Sequence, residues 1–371
     1  MGLRISGKDV TGMRFNGVDA IEARFNGSVV WPEGDPESFI LYVTIPKDKV
    51  GETFYTNFSD EYSQHSVFQS LDWGDGTVLT NFRPVSRLSH VYQYAGEFVV
   101  KYTPGEHWNF LPAGLGADGT TLFYTSISER SPITRAIFPY YISEIPNALF
   151  SGCYYITSVS IPENSPLTTI GESAFYECSY FRGFGSLKTF PCLQSIQRGA
   201  FTRCEVIRSF PESPNLETIG NFAFRECLSL ASFGDAPALT TISSLAFYRC
   251  RTLASFGDAP VLTSIGGSAF SGCTALTSFG DAPALTTIYD YAFAYCFSLA
   301  SFVIQGRVTS LRDNCFLSTN VKLKFVSTTP PKATGTFYNG AGPFYVPTGS
   351  LSAYQSAAYY PKNISYIEYD P

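Results

Sequence analysis

The segment SFGDAPALTTI stands at residues 232–242 and again at 278–288, with SFGDAPVLTSI between them at 255–265, each copy 23 residues from the next. A half-apolar segment repeated at fixed spacing can bury its apolar side only against its own copies, so the period dictates a solenoid of stacked coils. With Leu239 as position 0, the register starts at Ile142, Leu167, Leu193, Leu216, Leu239, Leu262, Leu285 and Val308. Position 3 is Ile145, Ile170, Ile196, Ile219, Ile242, Ile265, Ile288 or Leu311, and position 8 is phenylalanine throughout, from Phe150 to Phe316. Position 17 holds Val159, Phe184, Phe210, Phe233, Phe256, Phe279, Phe302 and Phe325.

Within a unit, LTTI reads as a short strand with Leu and Ile inward. In AFYRC, the three- and four-residue spacing of Ala246, Phe247 and Cys250 predicts the inner face of a helical turn. LASF returns as an extended segment, and Gly, Asp and Pro of GDAP make the corner. Composition agrees: aromatics reach 16% and charged residues only 15%, which leans towards strands and turns rather than long helices.

These residues resemble the BspA-like leucine-rich repeats of bacterial surface proteins, with the pattern L-x-x-I-x-x-x-A-F-x-x-C-x-x-L-x-x-F/V over residues 142–325. The last unit departs from it, with Cys315 in the Ala slot and Thr319 in the Cys slot. The tail FYVPTGSLSAYQSAAYY resembles the closing segment of such proteins, which implies a short helix over the last coil. The expected organisation is therefore repeats over residues 109–330 and a cap over 331–371.

Seven of the nine cysteines occupy position 11 of successive units, which marks them as small buried hydrophobes in a recurring niche. There is no C-x-x-C, and His65, His90 and His107 all lie outside the repeats, so no metal or cofactor is expected. Glu212, Asp235, Asp258 and Asp281 share position 19. A calcium ladder is one reading, and carboxylates accepting backbone N–H groups at a tight corner is the other.

Upstream, LDWGDGT and HVYQYAGEFVVKY resemble a PKD domain, an immunoglobulin-like β-sandwich, through Trp73, Gly74, Asp75, Gly76, His90, Tyr92, Gly96, Phe98 and Val100. The resemblance places this domain at residues 38–108, and it implies an Asp-Gly hairpin turn, a buried Trp73 and a structural His90. Residues 1–32 repeat every ten, with turn signals at Asn16-Gly17 and Asn26-Gly27, and read as a small β-meander that docks onto a partner. This stretch resembles amino-terminal pieces of tail- or capsid-associated proteins of bacteriophages infecting gut bacteria. The fold class expected is thus mainly β: a small meander, a sandwich and about eight 23-residue coils.

The opening MGLRISGKDV lacks the apolar core of a secretion signal, and no run of about 18 apolar residues is present to insert into a membrane. Net charge is −6 with no basic run, which argues against nucleic acid. No catalytic motif stands out, and acids repeat rather than converge, so no enzyme activity is expected. Function should then lie where the copies differ on the surface. Positions 9, 10, 12 and 13 carry Tyr154, Tyr155, Glu177, Tyr180, Glu205 and Glu226. The candidate binding residues are Tyr176, Arg203, Arg225, Tyr248, Arg249, Arg251 and Tyr295, with Tyr289 and Tyr291 from the seventh unit, because Tyr and Arg favour recognition. Arg and Glu alternating there could equally pair with each other, and the Thr- and Ser-rich strand face offers a second surface. The expected role is a virion fibre or decoration protein, held to other virion proteins by its amino terminus. Its repeats would then contact a host surface protein or carbohydrate, with a homo-oligomer as one arrangement. A bacterial cell-surface adhesin is the alternative.

Overall fold

The computed structural model describes residues 38–57, 68–82, 87–104, 133–140 and 142–370, together with the backbone of seven short strands within segments 3–30 and 123–124. Each ten-residue amino-terminal repeat forms one two-stranded hairpin, pairing Leu3–Ile5 with Lys8–Val10, Arg14–Phe15 with Val18–Asp19, and Ala23–Phe25 with Ser28–Val30. The Asn-Gly turns between them, and the docking role read there, lie outside the described residues.

Position 3 of the repeat builds a nine-stranded parallel sheet that runs from Glu144–Ile145 to Lys332–Ala333. Its strands are two residues long, and Ile145, Ile170, Ile196, Ile219, Ile242, Ile265, Ile288, Leu311 and Ala333 follow one another in register. Thr and Ile suit the pleat: the Ile is buried while its neighbour faces outward. The sheet thus runs one coil past the eighth repeat, into the segment read as cap. At the other end, Ile133–Ile137 lies parallel to Ser158–Ser160 with Arg135 opposite Ser158, a half coil ahead of the first expected unit.

Position 17 aligns Phe233, Phe256 and Phe279 in a second parallel sheet. The column then shifts, because Phe302 pairs with Leu323 and Ile304 with Phe325, so Phe325 stands two residues beyond its expected place. In this coil Thr319 Oγ1 donates to the Phe316 carbonyl of its own turn at 2.8 Å, and the path back to the strand is shorter by two residues.

The turn between the strands is not helical. Positions 6 and 10 are left-handed in every unit: Leu245 has φ 58° and Arg249 φ 58°, and the pattern extends from Ala148 to Ser318. Hydrogen bonds alternate. The N–H of Ala246, Tyr248 and Cys250 donate three residues back within the coil. Those of Leu245, Phe247 and Arg249 donate to Gly267, Ala269 and Ser271 of the next coil at 2.8–2.9 Å. A helix would send every one of them four residues back, whereas stacking lets half of them bind a neighbouring coil. The Ala-Phe-x-x-Cys spacing serves either geometry, which is why the sequence reads as helical.

Inside, the position-8 rings stack coil on coil. Phe224, Phe247, Phe270 and Phe293 have centroids 5.1–5.3 Å apart and planes within 8°. The position-17 rings form a second file, and the two files meet edge to face, as Phe247 and Phe256 do at 75°. Each aromatic contact of this kind contributes about 0.5–1.5 kcal/mol beyond its area of burial.

The position-11 cysteines from Cys178 to Cys296 do more than fill space. Each Sγ donates to the position-8 carbonyl of the preceding coil at 3.0–3.1 Å, as from Cys250 to Phe224 and from Cys273 to Phe247. Burial pushes these thiols up, Cys296 to about 12, so they stay protonated and unreactive. A thiol reagent is therefore expected to titrate one cysteine in the native chain, the exposed Cys192, and all nine after denaturation. Several fast-reacting native thiols would contradict this packing.

Ahead of the solenoid, a sheet runs in the order Val78–Phe82, Phe68–Asp72, Gly96–Pro104, Phe39–Ile45, Ile133–Ile137, Ser158–Ser160. It is continuous with the first coils, and Phe39 packs on Phe138 at 5.1 Å and on Phe150 at 6.5 Å. A three-stranded sheet of Arg87–Val91, Thr53–Asn57 and Phe123–Tyr124 accompanies it. Trp73 is buried, and the Asp-Gly segment turns the hairpin between Asp72 and Val78. Gly74 is required there, since its φ is +82° and a Cβ would lie 2.6 Å from the Val99 oxygen. His90 stacks on Trp73 at 4.7 Å and bonds Asp75 at 2.7 Å. Burial works to raise the Asp75 carboxyl, but the His90 and Thr77 hydrogen bonds outweigh it and hold the group below its ordinary 3.8. A depressed carboxylate stabilises the fold above its unfolded pKa and loses that contribution as pH falls through the folded value. Asp75→Asn is thus expected to flatten the decline in thermal stability below pH 4, measured by acid melts of both forms.

The carboxyl end closes on the short helix Leu351–Ser356. Tyr354 is buried against Phe325 at 4.9 Å, and the Tyr366–Tyr369 strand pairs with Phe344–Pro347. Among the described residues, no helix is long and apolar enough to cross a membrane.

Candidate recognition face of the solenoid

Three surfaces of the coil compete for a ligand, and stacking consumes two of them. On the strand face, the hydroxyls of Thr240, Thr263 and Thr286 donate to Glu217, Thr240 and Thr263 carbonyls of the preceding coil at 2.9–3.0 Å. At the corner, Asp235 Oδ1 accepts the Asp258 N–H at 3.0 Å, and Asp258 Oδ1 accepts the Asp281 N–H at 2.8 Å. These carboxylates act as backbone caps. Among the described residues, no group of three or more His, Cys, Asp or Glu is placed to hold a metal ion.

The glycine of this corner has a specific cause. A Cβ on Gly257 would lie 2.5 Å from Asp235 N, and one on Gly280 would lie 2.4 Å from the Gly257 carbonyl group. Neither has a positive φ, so the residue is needed for the close approach of one coil to the next rather than for a turn conformation.

On the turn face, the predicted residues separate into three groups. Arg203 is held between Glu177 at 2.7 Å and Glu226 at 3.0 Å, and Glu226 also meets Arg225 at 3.5 Å and Arg249 at 3.7 Å. Position 10 therefore alternates Glu177, Arg203, Glu226, Arg249 up the stack. Burial works to raise the Glu226 carboxyl, but the Arg203 hydrogen bond and the charges of Arg225, Arg203 and Arg249 hold it below its ordinary value. Burial and the adjacent Glu177 carboxylate push the Tyr176 phenol up. Tyr176, Arg203 and Arg225 thus belong to an internally neutralised ladder.

Tyr248, Arg249, Arg251 and Tyr295 are different, because they line one cleft of about 470 Å³ together with Ser271, Gly272, Thr274 and Phe297. Its floor is the sixth coil, where positions 9, 10 and 12 are Ser271, Gly272 and Thr274. Its walls are the fifth coil, with Tyr248, Arg249 and Arg251, and the seventh, with Tyr295 and Phe297. Arg225 and Arg249 both lie within 6 Å of the Tyr248 ring centre and fix that wall. Phe297 is 61% exposed and meets Tyr295 at 6.2 Å. The third group, Tyr289 and Tyr291, is exposed but outside the cleft, with Arg312 over the Tyr289 ring at 5.8 Å.

Sequence reasoning gathered the large residues and missed Phe297, Ser271, Gly272 and Thr274. The signal was present: three small residues at variable positions of one unit, flanked by bulky ones in the units on either side. A second aromatic group, Tyr154, Tyr155 and Tyr180, lies at the first two coils, with Tyr154 and Tyr180 4.9 Å apart.

Stacked parallel coils, buried Leu, Ile and Phe columns and a turn layer bonded between coils define a leucine-rich-repeat β-solenoid. The "BspA type Leucine rich repeat region" profile matches in six copies over residues 120–254 and 194–324, more than half of the chain. The chain belongs to that family. Among solved structures it is similar to a leucine-rich repeat protein of T. pallidum, with 24% identity over 45% of this chain and 78% of that one and a TM-score of 0.40. A leucine-rich cell surface protein of Faecalibacterium prausnitzii shares 18% identity over 71% and 89% of the two chains, with a TM-score of 0.37. The pneumococcal vaccine antigen PcpA shares 14% over 71% and 83%, with a TM-score of 0.27. No curated protein sequence matches the chain.

Proposed function

We infer that this is a non-enzymatic binding protein of an outer surface, whose solenoid offers the turn face to a ligand. One observation carries the reading: the copies differ at the outward positions 9, 10 and 12, and in the fifth to seventh coils that difference opens a cleft lined by large side chains around a floor of small ones. Membership of the BspA-type family supports a bacterial cell-surface adhesin. The second reading, a virion fibre or decoration protein anchored by residues 1–32, rests on the resemblance of that ten-residue repeat to amino-terminal pieces of bacteriophage tail- or capsid-associated proteins. In either setting the segment 38–108 serves as a spacer of the PKD type, an assignment supported by Trp73, Asp75 and His90.

Two measurements test this. Labelled chain is expected to attach to target cells, and Thr274→Trp, which fills the cleft floor, is expected to lower attachment at least tenfold while Thr263→Ala on the strand face leaves it unchanged. Equal attachment by all three forms would place recognition elsewhere. Mass spectrometry of purified phage particles beside the cell-envelope fraction separates the settings, since stoichiometric recovery from one and absence from the other decides between them.

A further inference from the structure

The cleft also has a chemistry. We propose that it binds a hexuronate ring of an acidic polysaccharide, with the ring on Tyr295 and Phe297 and its carboxylate on Arg251. This rests on the turn-face reading above.

Size comes first. The Phe247–Phe270 and Phe270–Phe293 centroids beneath the cleft are 5.1 and 5.3 Å apart, so the fifth- and seventh-coil walls stand about 10 Å apart, two strand spacings. That gap, less the half-thickness of each wall, admits one saccharide ring. The cleft volume of about 470 Å³ falls in the range of small-ligand sites, whereas a protein partner needs a far wider surface.

The walls then select the ring. Exposed aromatic faces attract the C–H bonds of a pyranose through the negative charge of the π cloud. Because guanidinium groups already occupy Tyr248, the open rings are Tyr295 and Phe297. Ser271 and Thr274 line the floor, where the Thr274 hydroxyl donates to the Arg251 carbonyl and keeps its oxygen as an acceptor.

Charge completes the argument. No lining residue is a carboxylate, and Arg249 is already paired with Glu226. Among the described residues no carboxylate pairs with Arg251, whose main-chain carbonyl accepts bonds from Thr274 Oγ1 at 3.3 Å and Ala275 N at 3.2 Å. In a chain of net charge −6, an unpaired guanidinium beside open aromatic rings is complementary to an anion carried on a ring. The planar fork of arginine matches a carboxylate with two parallel hydrogen bonds.

Galacturonate and glucuronate trimers, their methyl esters and the full-length chain test this by calorimetry. The trimers are expected to bind and the esters, which keep the ring but lose the charge, to bind at least tenfold more weakly. Arg251→Gln is expected to remove the difference between acid and ester, Arg251→Lys to restore part of it, and Tyr295→Ala to weaken both ligands. Thermal melts establish that each variant is folded. Equal binding of acid and ester, or wild-type affinity in Arg251→Gln, would overturn the proposal. Failure of both sugars to bind while Thr274→Trp still abolishes cell attachment would sink the hexuronate and leave the turn face standing. If Thr274→Trp changes nothing, the turn-face reading falls as well.

Discussion

Replacing Phe270 by alanine is expected to remove about 3–5 kcal/mol of stability, the usual range for an enclosed aromatic cut back to a methyl group. Phe270 stacks on Phe247 and Phe293 at 5.1 and 5.3 Å and meets Phe256 and Phe279 edge to face, each at 5.5 Å. Truncation empties a site walled by three coils, and neighbours that are themselves held by stacking cannot collapse into it. Phe270→Leu, which keeps most of the volume, should cost less than half as much. Urea denaturation of the three forms measures the difference. Hydrogen exchange should accelerate first in the fifth to seventh coils, since each coil depends directly only on its neighbours. A loss below about 1 kcal/mol for the alanine form, against the cavity cost expected for a buried ring, would mean that the stacked file does not carry the core.

Gly280→Ala is the second large effect, and a single methyl group causes it. The new Cβ would lie 2.4 Å from Gly257 C and O and 2.6 Å from Asp258 N, all backbone atoms that move only if the coils separate. The expected cost is about 1–3 kcal/mol, the range for overpacking. Gly234→Ala supplies the control: it has the same place in the repeat, but nothing lies within 4 Å of its Cβ. The two substitutions are identical in chemistry and in local sequence, so equal melting temperatures would refute the close-approach account.

The period announced the solenoid because position 3 and position 8 have one use each, a buried strand residue and a stacked ring. Local geometry was less legible. Ala246, Phe247 and Cys250 have helical spacing, yet the left-handed Leu245 and Arg249 break the helix so that alternate N–H groups reach the next coil. That bond exists only after stacking, and no short window of sequence contains both partners. The half coil at Ile133–Ile137 and the coil at Lys332–Ala333 were missed for a related reason. End coils pack on other elements, here Phe39 at one end and Tyr360, against Phe337, at the other, and so have no need of the full pattern. Of the candidate site, Tyr248, Arg249, Arg251 and Tyr295 were found by residue type. The cleft itself escaped, because it is made by what Gly272 lacks.

Both termini of the solenoid are finished surfaces, one continuous with the Phe39–Ile45 strand and the other covered by the Leu351–Ser356 helix, while the coils between are nearly interchangeable. Such a molecule can change its reach in only one way, by gaining or losing whole turns from the middle, about 5 Å at a time. The near-identical segments at 232–242, 255–265 and 278–288 sit where such an insertion disturbs neither end. Because the cleft needs only three consecutive turns, a turn added on its amino-terminal side would move the site along the solenoid as an intact cassette, with its walls and floor unchanged. Length and specificity can therefore vary independently in this architecture.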